Sequence, residues 1–264
     1  MNGSSRSIAI KKNIIASLFL KGISILVSLQ VVPLTINYIN PTRYGIWLTL
    51  SSIVAWLSYF DLGFAHGFRN RFAEAVAKGD MQLAREYVST TYVVLSLLFS
   101  SVFLIAIVVN HFVDWSAILN VDAAYSSELN IVFGILAFFF CLNIVASIFT
   151  TMLTANQKPA LASLIQTLGQ VFGFICIYIL TKTVPGNLDV LAFAFSGVPC
   201  FLLIIISIGM FLSGRYRHLS PSFHFVHFSL TKKIVGLGGQ FFIIMISMLF
   251  VFQLINIVIS RVAG

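Results

Sequence analysis

Long, uncharged apolar runs constrain this chain more than any other feature. The clearest extend from Val93 to Val109 and from Phe193 to Leu212. Each approaches or exceeds the roughly 18 apolar residues that an α-helix needs to cross a bilayer. In lipid every backbone N–H and C=O must be bonded within the protein, so only helices and closed barrels span. Barrel strands alternate apolar and polar residues, and these runs do not. We therefore predict an all-α fold, a polytopic membrane helix bundle.

Composition and charge agree with that fold class. Hydrophobic residues make up 59% of the chain, the mean hydropathy is +0.99 and only 9% of residues are charged, against about 25% in soluble domains. The net charge of +8 would suggest nucleic acid in a soluble protein. Here the basic residues lie in short loops between apolar runs, where they set topology. We predict the lipid bilayer as a partner and no nucleic acid.

The hydropathy pattern predicts about seven membrane spans. The first apolar segment is longer than the roughly 7–15 residues of a signal-peptide core, so we interpret it as an uncleaved first span. The predicted spans cover residues 13–38, 44–66, 89–112, 129–155, 159–182, 188–213 and 234–260.

The basic residues orient these spans. Twelve of the 16 fall on the side of the amino terminus. The other side carries only Arg43, Lys182 and Arg261. Because basic loops stay in the cytoplasm, we predict a multi-pass protein of the cell inner membrane with a cytoplasmic amino terminus.

Two loops are more than connectors. In residues 67–89, Gly79 suits the end of one helix and Asp80 the start of the next, which predicts a helical elbow on the cytoplasmic surface. Residues 214–233 are basic and aromatic, as expected of a segment that lies against anionic headgroups. We predict a first bundle over residues 1–213, a basic cytoplasmic linker over 214–233 and the start of an incomplete second bundle over 234–264.

No catalytic motif is present. The sequence has no HExxH, GxxxxGK[ST] or GxSxG pattern and no acidic metal cluster, so we predict neither an enzyme, a cofactor nor a metal site. His224 and His227 have a spacing that metal ligands can have, but no Cys or carboxylate accompanies them. We favour a solvated loop. The three cysteines lie in apolar runs, where we interpret them as small hydrophobes.

Two opposite charges lie at similar depth inside the first two predicted spans. Lys21 is about 12 Å from the cytoplasmic start of the first, and Asp61 about 9 Å from the cytoplasmic end of the second, at helical rise. They could form a structural ion pair. Alternatively they form a charged site in a water-filled cavity, since intramembrane charge is expensive and usually functional. Both interpretations can hold together.

Uncharged polar residues also recur at depth. Gln166 and Gln170 are one turn apart, so they share a helix face, where they either join helices or line a polar path. Joining helices is the simpler explanation. Gly169 and Gly173 form a small-residue motif of the kind that packs membrane helices.

Several segments resemble the bacterial polysaccharide transporter family, the O-antigen flippases of the MATE-like flippase superfamily. Residues 32–50 (VPLTINYINPTRYGIWLTL) are similar to that family's first helix, outer turn and second helix. Residues 61–75 (DLGFAHGFRNRFAEA) are similar to the inner end of its second helix, and the similarity continues through 78–80 and 87–91. Residues 238–242 (GGQFF) resemble the entry to its second bundle.

The resemblance implies a MATE-like bundle that flips an undecaprenyl-pyrophosphate-linked oligosaccharide by alternating access. It makes Lys21, Arg69 and Arg71 candidate pyrophosphate-binding residues, although Arg69 and Arg71 also fit simple positive-inside residues. It also makes glycan-assembly proteins candidate partners. Family members have about twice as many helices, so we expect a truncated form. Alternatives are a MATE-type drug antiporter, a membrane glycan polymerase or acyltransferase, and an inactive remnant.

Overall fold

The computed structural model describes residues 3–55 and 63–240 and the single positions 243 and 247, with side chains from residue 13 onward. The described parts are helical and contain no strand. The helices are α1 (Gly3–Ile39), α2 (Pro41–Ala55), α3 (Phe64–Ala77), α4 (Met81–Phe112), α5 (Trp115–Leu119), α6 (Ser126–Ala146), α7 (Ile148–Ala155), α8 (Pro159–Thr183), α9 (Leu188–Leu212) and α10 (229–240).

Five helical segments of the described chain are long and apolar enough to cross a membrane. They are Asn13–Ile39, Met81–Phe112, Ala123–Ala155, Pro159–Thr183 and Leu188–Leu212. They confirm the first, third, fourth, fifth and sixth predicted spans. The second predicted span begins as α2 and then enters residues 56–62, and the seventh begins within α10. The remainder of the seventh lies almost wholly outside the described residues.

Local sequence explains where the helices begin. The carboxylate of Asp80 accepts a hydrogen bond from the Leu83 N–H (2.9 Å), while Gly79 has the positive φ (77°) that ends α3. Both predicted cap roles are confirmed. Because Asp80 starts the next helix directly, α4 runs unbroken from Met81 and begins earlier than the predicted span.

The outer surface of the bundle is apolar, as its interior is. Leu18, Phe19 and Leu29 of α1 and Leu104 of α4 are each more than 60% exposed. Such an apolar surface suits lipid. The interior has two hydrophobic clusters, one around Phe68, Phe72 and Phe149, the other around Trp47, Leu129 and Phe133. Between them α8 packs on α1 and α9, and α6 on α4 and α9.

Hydrogen bonds sort the loops onto two ends of the bundle. At one end, Asn13 Nδ2 donates to the Gln157 carbonyl (3.4 Å) and Lys158 Nζ donates to the Tyr216 hydroxyl (3.0 Å). At the other, Arg43 is 3.4 Å from Glu128 and donates to the Gly186 carbonyl (3.2 Å). We call the first the basic end, because it carries the loops rich in Lys and Arg.

Residues 214–233 fold back onto α4. Tyr216 and Leu219 are about 1% exposed. The Ser222 and His227 N–H groups donate to the hydroxyls of Ser89 (3.1 Å) and Thr90 (3.0 Å). The segment that composition marked for the membrane surface is therefore anchored to the bundle through its backbone, with Phe223 (88%) and Phe228 (62%) left exposed.

Candidate functional site

A polar cavity opens at the basic end between α3, α7 and α8. We call it the basic-end cavity; its volume is about 320 Å³. Its polar lining comes from three helices: His66 and Arg69 on α3, Thr150, Thr151 and Thr154 on α7, and Ser163 and Gln166 on α8. The Arg69 cation, several hydroxyls and an amide therefore converge at the basic end of the bundle.

Within this cavity, the threonine oxygens are available as hydrogen-bond acceptors and the Arg69 guanidinium as a donor. The hydroxyls of Thr150 and Thr151 donate to the Ser147 carbonyl (2.9 and 3.0 Å), and that of Thr154 donates to the Thr150 carbonyl (2.9 Å). Their remaining lone pairs can accept, for example from sugar hydroxyls. The exposed Arg69 guanidinium has no ion pair with any described residue, and it presents donors that match phosphate.

Arg71, two residues away, has a different environment. Its guanidinium pairs with Glu74 (3.0 Å), and its Nε donates to the Lys233 carbonyl (3.3 Å). Glu74 also pairs with Lys78 (2.7 Å), one helical turn further along, at the end of α3. Hydrogen bonds from Lys78 and then Arg71 lower the pKa of Glu74 below its ordinary value. Arg71 therefore holds α3 to α10. Of the two arginines, Arg69 lines the basic-end cavity and Arg71 does not.

Lys21 lies on α1 and is exposed. It is flanked by contacts to α8, because the Thr167 hydroxyl is 3.1 Å from that of Ser24 and donates to the Leu20 carbonyl (3.4 Å). Lys21 therefore sits beside the stretch of α8 that carries Gln166. Asp61 is outside the described residues, so the predicted Lys21–Asp61 pair stays a prediction.

A second cavity lies deeper, between α1, α2, α6, α8 and α9. We call it the mid-bundle cavity; its volume is about 580 Å³. Its wall is mainly aliphatic and aromatic, with Trp47 and Phe195 packed edge to face (4.7 Å between ring centroids). No charged residue lines the described wall. The polar lining consists of Ser28, Tyr44, Trp47, Ser51, Asn143, Gln170 and Ser196.

One face of α8 contributes side chains to the walls of both cavities. Gln166 lines the basic-end cavity and Gln170 the mid-bundle cavity. Ser163 precedes them at helical spacing, so the three form a polar stripe along α8. Neither glutamine bonds another helix within the described chain. Of the two explanations that the sequence left open, the structure supports the polar path. Gly169 and Gly173 of α8 meet Pro199 of α9, which confirms their packing role.

The threonines of α7 and Trp47 of α2 were missed by sequence reasoning. Thr150, Thr151 and Thr154 lie close together, but clusters such as Ser89, Thr90 and Thr91 are just as dense, so spacing alone could not single them out. Elsewhere, Cys141 and Cys200 are buried within helices and free. The described residues contain no group of three or more His, Cys, Asp or Glu side chains placed to hold a metal.

Fold and cavities together define a multi-pass helical membrane protein with two cavities that share one helix, α8, in their walls. The sequence matches the family model described as "Polysaccharide biosynthesis protein" over residues 10–264. The chain belongs to this family, whose members are polysaccharide transporters and flippases. No curated protein and no solved structure was found to match it.

Proposed function

We propose that the protein flips a lipid-linked oligosaccharide, carried on undecaprenyl pyrophosphate, from the cytoplasmic to the outer leaflet of the cell inner membrane. Family membership supports the substrate class. The observation that carries the proposal is the basic-end cavity, where the Arg69 guanidinium lies beside the acceptor hydroxyls of α7. A pyrophosphate carries negative charge that complements Arg69. A sugar carries hydroxyls that can donate hydrogen bonds to the threonine oxygens.

The physical requirement is to offset desolvation of the pyrophosphate. An unpaired anion is strongly disfavoured in low dielectric, so cations must meet it at the entrance and along the route. Arg69 fits the entrance. Lys21 fits the next position, because it lies on α1 beside the α8 polar stripe. Arg71 is already engaged by Glu74 and the Lys233 carbonyl, so we assign it a structural role.

Orientation and mechanism complete the proposal. The basic end faces the cytoplasm, because the positive-inside rule places loops rich in Lys and Arg there. Residues 1–213 form the first bundle, and the segment from 234 begins a second bundle against which it rocks in alternating access. Glycan-assembly proteins in the same membrane supply the substrate.

A cation-exporting drug antiporter is less well supported. Such a transporter needs acidic groups in its cavity, and neither described cavity wall contains a carboxylate. The mid-bundle cavity is uncharged, and the cation of the basic-end cavity would repel a cationic drug. The cavities therefore favour an anionic, hydroxyl-rich cargo.

The test is surface-glycan display in cells that lack the endogenous gene. Arg69→Ala should lower display about tenfold or more, since hydrogen bonds to charged groups contribute about 1.5–3 kcal/mol. Arg69→Lys should restore part of it. Arg217→Ala, an exposed cation at the same end, is the matched control and should leave display unchanged at equal protein level. Normal display by Arg69→Ala would refute the assigned entrance.

A further inference from the structure

We infer that the mid-bundle cavity is a binding subsite for an uncharged sugar ring of the transported glycan. The inference rests on the proposed function and extends it, because it separates the part of the substrate held by Arg69 from the part held deeper in the bundle. The volume of the mid-bundle cavity, about 580 Å³, lies within the roughly 300–1,000 Å³ of small-molecule sites.

The chemistry of the wall matches a sugar. A pyranose ring has an apolar C–H face and a rim of hydroxyls that both donate and accept hydrogen bonds. Tyr44 and Phe195 offer aromatic surface for the first, with Trp47 packed behind Phe195. Asn143 and Gln170 offer amides for the second, since each amide has donors and an acceptor.

These amides have hydrogen-bonding capacity to spare. Among the described residues, the side chain of Asn143 interacts with the Cys200 thiol, which leaves most of its donors and acceptors available. Gln170 is exposed to the cavity region and bonds no other described residue. A ligand with hydroxyls can occupy both.

Helix α2 adds two polar atoms without partners. Trp47 is only 4% exposed, and its Nε1 has no hydrogen-bond partner in the described chain; the same holds for Ser51 Oγ. Both residues line the cavity. An unpaired buried polar group is unfavourable. Both atoms are enclosed, so a ligand hydroxyl would pair with them after a shift of the surrounding side chains.

Other occupants fit less well. A hydrocarbon chain would leave the amides of Asn143 and Gln170 desolvated and unpaired. An ion would find no opposite charge on the described wall. A sugar attached to a pyrophosphate fits both cavities at once, because Gln166 and Gln170 are one helical turn apart, about 6 Å.

The experiment compares two ligands on the protein in lipid nanodiscs. One is the lipid-linked glycan that accumulates in cells from which the gene is deleted; the other is undecaprenyl pyrophosphate without a glycan. We expect wild type to bind the glycan-bearing ligand about tenfold or more tightly than the bare carrier. Asn143→Leu and Gln170→Leu should each reduce this ratio severalfold and leave affinity for the bare carrier unchanged.

Three controls keep the result interpretable. Asn130→Leu, on α6 but outside the cavity, should retain the ratio. Trp47→Phe keeps an aromatic ring while removing Nε1–H, and it should lower the ratio. It provides a second test if a leucine variant misfolds. Arg69→Ala should weaken both ligands equally.

The outcomes separate the subsite from the proposed function. Equal affinity of wild type for both ligands, or an unchanged ratio in the Asn143, Gln170 and Trp47 variants, overturns the subsite alone. Tighter binding of bare carrier by Asn143→Leu would instead assign the cavity to the hydrocarbon chain. Failure of wild type to bind either ligand overturns both inferences.

Discussion

At the residue scale, two cations two positions apart have opposite surroundings. Arg71 contacts Glu74 and the Lys233 carbonyl, whereas Arg69 faces the basic-end cavity. Residues i and i+2 of a helix point to opposite sides, so one neighbour can serve structure while the other serves a ligand. Glycines also differ in how closely other helices approach them. A Cβ at Gly169 would lie 3.2 Å from Cα and Cβ of Pro199, whereas Gly22 has nothing within 4 Å.

This contrast predicts unequal effects of one substitution. Gly169→Leu should push α8 from α9 and lower stability by about 1–3 kcal/mol, as overpacking does. Gly22→Leu should cost little, because its side chain would enter open space on α1. Thermal unfolding of the two variants in the same detergent measures the difference. Equal midpoints would contradict the close packing of Gly169 on Pro199.

At the element scale, the first turns of α4 hold the segment that follows α9. Arg85 Nε donates to the Ser220 carbonyl (2.9 Å), and its guanidinium lies 4.1 Å from the centroid of the Phe225 ring. Ser89 and Thr90 accept the Ser222 and His227 N–H groups. Helix α10 is held by close backbone contact, because Gly63 and Gly67 leave no room for a Cβ against Gly238 and Ile234. Helix α4 thus positions the linker, and the start of α3 positions the next helix.

Loss of these contacts should release the linker. In Arg85→Ala, we expect trypsin to cleave at the exposed Arg215 and Arg217 severalfold faster, because proteolysis requires local opening. Ser101→Ala is the matched control, since that hydroxyl donates only to its own helix, to the Leu97 carbonyl (2.9 Å). Cleavage rates can be followed by gel electrophoresis of purified protein. An unchanged rate in Arg85→Ala would mean that α4 does not restrain the segment.

At the scale of the whole molecule, charge is sorted by the two ends of the bundle. The basic end carries Lys158, Arg215 and Arg217, while the opposite end pairs Arg43 with Glu128. The two described cavities differ in chemistry: the basic-end cavity has a cation and hydroxyls, and the mid-bundle cavity has amides and aromatic side chains. That difference suits a cargo with a charged end and an uncharged end.

The proposed orientation can be measured with engineered cysteines. In a background with Cys141, Cys176 and Cys200 changed to alanine, Arg217→Cys should react with an impermeant maleimide only when the cytoplasmic face is accessible. Ser127→Cys, exposed at the opposite end, should react from the outside. The positive-inside rule is the physical reason. The reverse labelling pattern would invert the topology and place Arg69 at the exit.

The amino-acid sequence by itself determined the class of fold and the positions of five spans. Apolar length and backbone hydrogen bonding are local properties, and in lipid they leave the helix as the only solution for such runs. It also determined the Asp80 cap and the shared face of Gln166 and Gln170, because both follow from spacing along one helix. The motifs around residues 32–50 and 61–75 were enough to identify the family.

The tertiary structure alone decided which polar residues meet. The Arg71–Glu74 pair is local, since the two residues are three apart on one helix, but the bond from Arg71 to the Lys233 carbonyl and the position of the α7 threonines opposite α3 depend on how separate helices pack. The same holds for Trp47. In the sequence it looks like an ordinary core residue, and only the packing of α2, α6, α8 and α9 places it beside a cavity. Cavities are made by the gaps between elements, so a helical pattern can predict the walls but not the space that they enclose.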